Sequence, residues 1–282
     1  MLNKIKNFAL TFFTAFKRML DEDGMMAAGH IAFTAFLSLF PFLIFLAALA
    51  GFLSSAEDIP NIVNLMFEFM PKEVATAMAP AVSEVISMKP TGLLTFGFIG
   101  TLWAASSGVE SLRIALNRAY KVKKKRPAWR RRLQSLFFVA LAAFLIFFMS
   151  LLVLFGPVIW SFAEKLLYFS FLQEVMFDVS RYIAALMVLI GELLILHRFL
   201  PHIKQEAKYL LPGVIFTAIT FLIGGTIFSA YINNFGNFNV TYGSLGSIVI
   251  SLLFFYMTAT LFIYGAYLNA AFNQDRIDNH GE

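Results

Sequence analysis

The chain has 282 residues, of which 59% are hydrophobic and 14% charged, with a formal net charge of +5 and no cysteine. A soluble globular domain carries about 25% charged residues, and 34 phenylalanines with nine tyrosines are more apolar surface than a soluble core of this length hides, so the composition is that of a membrane protein. The missing cysteines exclude disulfides, thiolate nucleophiles and cysteine-based metal sites.

A helix needs about 20 apolar residues to cross a hydrocarbon core of about 30 Å, and six windows supply them. Residues 1–24 come before the first. In "IKNFALTFFTAFKRML" at 5–20, Ile5, Phe8, Ala9, Phe12, Phe16 and Met19 recur at helical spacing, with the lysines on the other face. Lys17, Arg18 and "DED" follow with no small-residue cleavage site, which predicts an interfacial helix rather than a signal peptide. Span one, 25–53, carries His30 and, mid-span, Pro41, which removes the backbone bond to Leu37 and predicts a kink.

Residues 54–90 form the one sizeable extramembrane segment. Ile59, Ile62, Val63, Met66, Phe67 and Met70, then Val74, Met78, Ala81 and Val85 beyond Pro71, predict two short amphipathic helices that shield the bundle or act as a lid. Span two, 91–112, contains Gly97, Gly100, Thr101 and Glu110, with Arg113 one turn further on. The loop 113–133 includes "KVKKKRPAWRRR" at 121–132, eight Lys and Arg in twelve positions with Trp129 at the mouth of span three.

Span three covers 134–160 and span four 176–199, with Glu192 six residues before Arg198. Span five covers 210–232. "NNFGNFNVTYGSLG" at 233–246 reads as an exposed loop or one that dips into the outer leaflet. Span six, 243–270, opens with a stripe of Gly243, Ser247 and Ser251 that suits close helix packing or gating, and the tail is 271–282.

Alternating the loops across the membrane places 18 of the 22 Lys and Arg on the side of the N-terminus, the 113–133 loop, the 197–209 loop and the tail. The other side holds Lys72, Lys89, Lys165 and Arg181. The positive-inside rule then predicts an all-α protein with six transmembrane helices, both termini in the cytoplasm and 54–90 in the periplasm. The basic run is read as a topology determinant that also touches anionic headgroups through Arg118, Lys121, Lys123, Lys124, Lys125, Arg126, Arg130, Arg131 and Arg132. No soluble segment is long enough to be a nucleic-acid reader, so nucleic acid is not an expected partner.

Three stretches, "DEDGMMAAGHIAFTAFLSLFPFL" at 21–43, "LWAASSGVESLRIALNRAYKV" at 102–122 and "YGSLGSIVISLLFFYMTATLFIYGAYLNAAF" at 242–272, together with "HRFLP" at 197–201, resemble the YihY/virulence factor BrkB family of bacterial inner-membrane proteins. The resemblance covers nearly the whole chain and implies a six-span helical protein of the cytoplasmic membrane. Members have carried a ribonuclease BN label, widely regarded as mistaken, and some have been proposed to move lipids or lipid precursors. The family pattern places an acid after the Gly-Ala pair late in the last span, whereas here Gly265 and Ala266 precede Tyr267. The resemblance therefore implies that any role of that acid has moved or been lost.

An ionisable group within a span costs about 2.5–3.5 kcal/mol, which makes His30, Glu110 and Glu192 candidate site residues. His30 and Glu192 lie about 10 Å deep on the same side at 1.5 Å per residue, and with Glu110 and Arg113 they predict a polar cavity in the inner third of the membrane. Plain structural roles stand beside this: an ion pair of Glu110 with Arg113 that ends a helix, and hydrogen bonds from His30 and Glu192 to neighbouring backbone or helices.

The four histidines form no i, i+4 pair, and no HExxH, GxSxG or phosphate-binding loop appears. The expectation is a non-enzymatic carrier of an anionic lipid or lipid-linked precursor, without cofactor or metal. A scaffold for envelope biogenesis is the alternative, and a membrane-embedded enzyme the weakest reading. Membrane lipids are the expected partners, and composition allows a homo-oligomer or envelope protein partners.

Overall fold

The computed structural model describes residues 2–53, 94–123, 126–142, 144–145, 171–203, 205–234 and 244–273. Among them the chain is all-helical, with seven helices and no strand: α1 (Leu2–Asp21), α2 (Gly24–Leu53), α3 (Leu94–Ala119), α4 (128–142), α5 (Phe171–Phe199), α6 (Ala207–Asn234) and α7 (Ser244–Phe272). Ala207–Tyr231 and Ile248–Phe272 are each 25 residues, long and apolar enough to cross a bilayer; at 1.5 Å per residue each reaches about 37 Å. The segment 54–90, most of span three, residues 235–243 and the tail from 274 lie outside the described residues.

α7 is the central element and packs against α1, α2 and α6, while α2 also packs on α3 and α5 on α6. Two glycines permit the close approach of α6 and α7. A side chain on Gly213 of α6 would strike the Gly265 carbonyl, and one on Gly265 would strike Thr217, so the two backbones cross in contact. Of the expected stripe, Ser251 is buried, Gly243 lies outside the described residues, and the side chains of Ser247 on α7 and Pro41 on α2 are likewise outside them.

Pro212 lies inside α6, where it brings no N–H and its ring crowds the carbonyl one turn earlier. Asn269 of α7 and Asn273, one residue past its end, supply polar partners there. Gly213 N–H donates to Asn269 Oδ1 at 2.7 Å, and Asn273 Nδ2 donates to the Tyr209 carbonyl at 2.8 Å. Such rescue by a neighbouring helix is what makes an interior proline tolerable in an apolar bundle.

α1 is helical as its periodicity predicts, but part of the face assigned to the lipid turns inward. Ala15 and Met19 are buried, the Phe12 carbonyl accepts from Tyr264 Oη at 3.0 Å, and the Phe12 ring meets Phe216 edge-on at 5.4 Å. Leu10, Phe13 and Leu20 stay exposed. The turn into α2 is tight: Asp23 takes a left-handed φ of 57°, and a Cβ on Gly24 would lie 2.6 Å from the Met19 carbonyl. Glycine alone fits that contact.

Candidate functional site

α3 continues through Ala119, so Glu110 and Arg113 sit well inside a helix rather than at its end, and helix also occupies 113–119 and 128–133 of the expected 113–133 loop. Glu110 is nine residues before Ala119, about 13 Å along the axis. The i, i+3 spacing brings its carboxylate to Arg113, whose Nη1 donates to Oε2. Arg113 is 1% exposed, and its Nη2 donates to Ser135 Oγ of α4 at 2.9 Å. From the same helix, Arg131 Nη1 donates to Glu110 Oε1 at 2.9 Å. One carboxylate therefore bridges two guanidiniums across the α3–α4 seam.

Beside this bridge the Arg132 guanidinium lies 3.4 Å over the Trp103 ring and donates to the Trp103 carbonyl. That carbonyl also accepts from Ser106 Oγ at 2.9 Å and Ser107 Oγ at 3.2 Å. Arginine suits such a place because its planar cation stacks on an aromatic face while donating in plane.

A second polar tier closes the same end. Arg126 Nε donates to His202 Nδ1 at 2.9 Å, and its Nη1 donates to Gln134 Oε1. Gln134 Nε2 in turn donates to the Phe199 carbonyl, and the His202 backbone N–H donates to Asn117 Oδ1 at 3.0 Å. Burial lowers the Arg126 pKa from its ordinary value. The His202 pKa is lowered by burial and then by the charge of Arg126. His202 therefore stays neutral and accepts at Nδ1.

The expected headgroup contacts divide into two groups. Arg126, Arg131 and Arg132 are engaged within the protein, and Arg118 donates to the Glu22 carbonyl at 3.2 Å. Lys121, Lys123 and Arg130 are exposed, Arg130 lying 5.0 Å over Trp129. Lys124 and Lys125 lie outside the described residues.

Lys121 ends α3 in a left-handed conformation, φ 52°. Val122 N–H donates to the Asn117 carbonyl at 2.8 Å and Lys121 N–H to that of Arg118 at 3.0 Å, a Schellman pattern whose left-handed position usually holds glycine.

The structure brings Glu110 and Arg113 together, and no ion pair or hydrogen bond joins His30 or Glu192 to them among the described residues. His30 is exposed on α2, its carbonyl accepting from Thr34 Oγ1 at 2.7 Å. Glu192 is half-buried on α5, and no ion pair reaches it among the described residues. The described residues contain no group of three His, Asp or Glu arranged to hold a metal.

The sequence profile described as virulence factor BrkB matches residues 15–282. The chain belongs to the virulence factor BrkB family. Its similarity to the putative ribonuclease-like protein YfkH of Bacillus subtilis is 31% identity over 255 residues, 90% of this chain and 92% of that protein. It is 23% identical to the UPF0761 membrane protein PSHAa0171 of Pseudoalteromonas translucida, over 94% of this chain and 86% of that one. A UPF0761 membrane protein of Psychromonas ingrahamii is 24% identical over 97% of this chain and 91% of its own length. No solved structure matches the chain. The protein is thus a BrkB-family membrane protein, in accord with its long apolar helices.

Within this BrkB-family chain, Tyr267 is buried, and the Arg18 guanidinium lies 5.7 Å over its ring. The sequence reading passed over His197, which is fully buried, donates from Nδ1 to the Leu193 carbonyl at 2.8 Å and lies 4.6 Å from the Phe262 ring. It also passed over Ser135, Gln134, Asn117 and His202 as members of the polar end. Their one sequence signal is polarity beside an apolar window, which does not name a partner.

Proposed function

We propose that the protein is a non-catalytic carrier of an anionic lipid or lipid-linked precursor in the bacterial inner membrane, with its basic end and both termini in the cytoplasm. The orientation follows from the charge count, 18 Lys and Arg on one side and four on the other. One observation carries the functional reading: at the basic end, Arg113 and Arg131 share a single carboxylate, Glu110, with Arg132 stacked on Trp103 of the same helix as Glu110, while Lys121, Lys123 and Arg130 are exposed. Cations in excess beside an apolar bundle attract anionic headgroups. The exposed residues collect the headgroup, and the seam between α3 and α4 receives it.

The test is transbilayer movement of labelled lipids in vesicles that contain the purified protein. Faster movement of labelled phosphatidylglycerol than of labelled phosphatidylcholine, lost when Lys121, Lys123 and Arg130 are changed together to Gln, is the expected result. Equal movement to protein-free vesicles for both lipids rules out the carrier reading and favours a scaffold role in envelope biogenesis.

A further inference from the structure

The Glu110 bridge has the composition of an anion site already filled. Arg113 and Arg131 each give one N–H to a different oxygen of the same carboxylate, rather than a bidentate fork to one group. Both guanidiniums retain a buried Nε–H with no acceptor among the described residues, and so does Arg132. Arg113 is 1% exposed, and a buried charge on that scale demands an anion and full use of its donors. A single carboxylate supplies two oxygens and one negative charge. A phosphoryl group presents more oxygens at equal or greater charge and suits the guanidinium plane.

The bridge is also reachable. The side chains of Glu110 and Arg131 are 26% and 33% exposed, whereas that of Arg113 is 2% exposed, so Arg113 forms the floor and the other two the rim. Ser135 Oγ, 3.5 Å from Glu110 Oε2, adds a hydroxyl to the floor.

We propose that Glu110 is an internal competitor for a phosphoryl anion: its carboxylate occupies the Arg113–Arg131 site, and a ligand phosphoryl group binds by displacing it from Arg131. This rests on the reading that the basic end takes an anionic ligand and identifies the chemistry it takes. Because Arg131 belongs to α4 and Glu110 to α3, displacement breaks a tie between two helices. Ligand entry and opening of the seam become one event.

The experiment measures binding of inorganic phosphate and of dioctanoyl phosphatidylglycerol to the full-length protein in detergent by calorimetry, for wild type, Glu110→Gln and Arg131→Gln. Competition predicts at least threefold tighter binding by Glu110→Gln and at least threefold weaker binding by Arg131→Gln. An effect confined to the lipid identifies a headgroup as the source of the phosphoryl group; an effect shared with inorganic phosphate identifies a soluble anion.

Lipid binding by wild type that is unchanged or weakened in Glu110→Gln overturns the competitor role and leaves the carrier reading standing. Absence of binding in wild type removes both. Should Glu110→Gln fail to fold, Arg131→Gln decides, since it leaves the Glu110–Arg113 pair intact: unchanged affinity for both probes overturns the proposal.

Discussion

Asn269 Oδ1 accepts the buried Gly213 N–H at 2.7 Å, beside the proline inside α6. The pair lies 56 residues apart in sequence and ties α6 to α7 beside the Gly213–Gly265 crossing. Asn269→Ala removes the acceptor from a buried donor, and the expected loss is about 1–3 kcal/mol. Thermal unfolding of the detergent-solubilised protein should show a lower midpoint than wild type, with a smaller drop for Asn273→Ala at the half-buried end of the same tie.

The Gly213–Gly265 crossing makes a second prediction by comparison. Gly265→Ala places a methyl group on Thr217 and is expected to lower the unfolding midpoint, in keeping with overpacking costs of about 1–3 kcal/mol. Gly191→Ala on α5 meets nothing within 4 Å and gains helix propensity of up to about 1 kcal/mol. The two alanine variants should therefore move in opposite directions, and equal shifts would show that the crossing is not close-packed.

Lys121 occupies a left-handed helix terminus, a conformation that burdens a non-glycine residue by about 1–2 kcal/mol. Lys121→Gly is expected to raise the unfolding midpoint while lowering retention of anionic lipid. Simultaneous loss of stability would mean that the lysine side chain does more for the fold than its backbone strain takes away.

The His202–Arg126 contact sets a pH dependence. The folded-state pKa of His202 lies below its ordinary value of 6.5, from burial and then from Arg126. A depressed histidine pKa favours the folded state fully above 6.5, and that contribution fades as pH falls from 6.5 through the lower folded value. Protonation removes the acceptor of the Arg126 Nε–H. Hydrogen exchange in residues 120–134 should accelerate between pH 7.5 and 5.5 in wild type, and the acceleration should flatten in His202→Gln after correction for intrinsic exchange rates. An identical pH response in both proteins would assign it elsewhere.

Hydropathy made the helical membrane class legible, and the i, i+3 spacing of Glu110 and Arg113 gave their pairing, because both depend on residues close in sequence. The rest of the site depends on helix register. Arg131 and Ser135 reach Glu110 from 21 and 25 residues away, and a run of eight cations does not say which ones turn inward. The rescue of Pro212 by Asn269 and Asn273, and the docking of Phe12 on α6 and α7, arise from packing between distant segments. His30 and Glu192 share a depth in the sequence reading, but equal depth leaves the rotation of each helix undetermined, and no hydrogen bond or ion pair joins the two among the described residues.

The proposed carrier holds an anionic lipid headgroup at its basic end. Native mass spectrometry of the protein released from a gentle membrane mimetic tests it most directly, with wild type compared against a Lys121→Gln, Lys123→Gln, Arg130→Gln triple variant. The expected result is a defined anionic lipid or lipid-linked precursor on wild type and its loss from the triple variant. Retention of bulk lipid alone, in equal amount on both proteins, would contradict it.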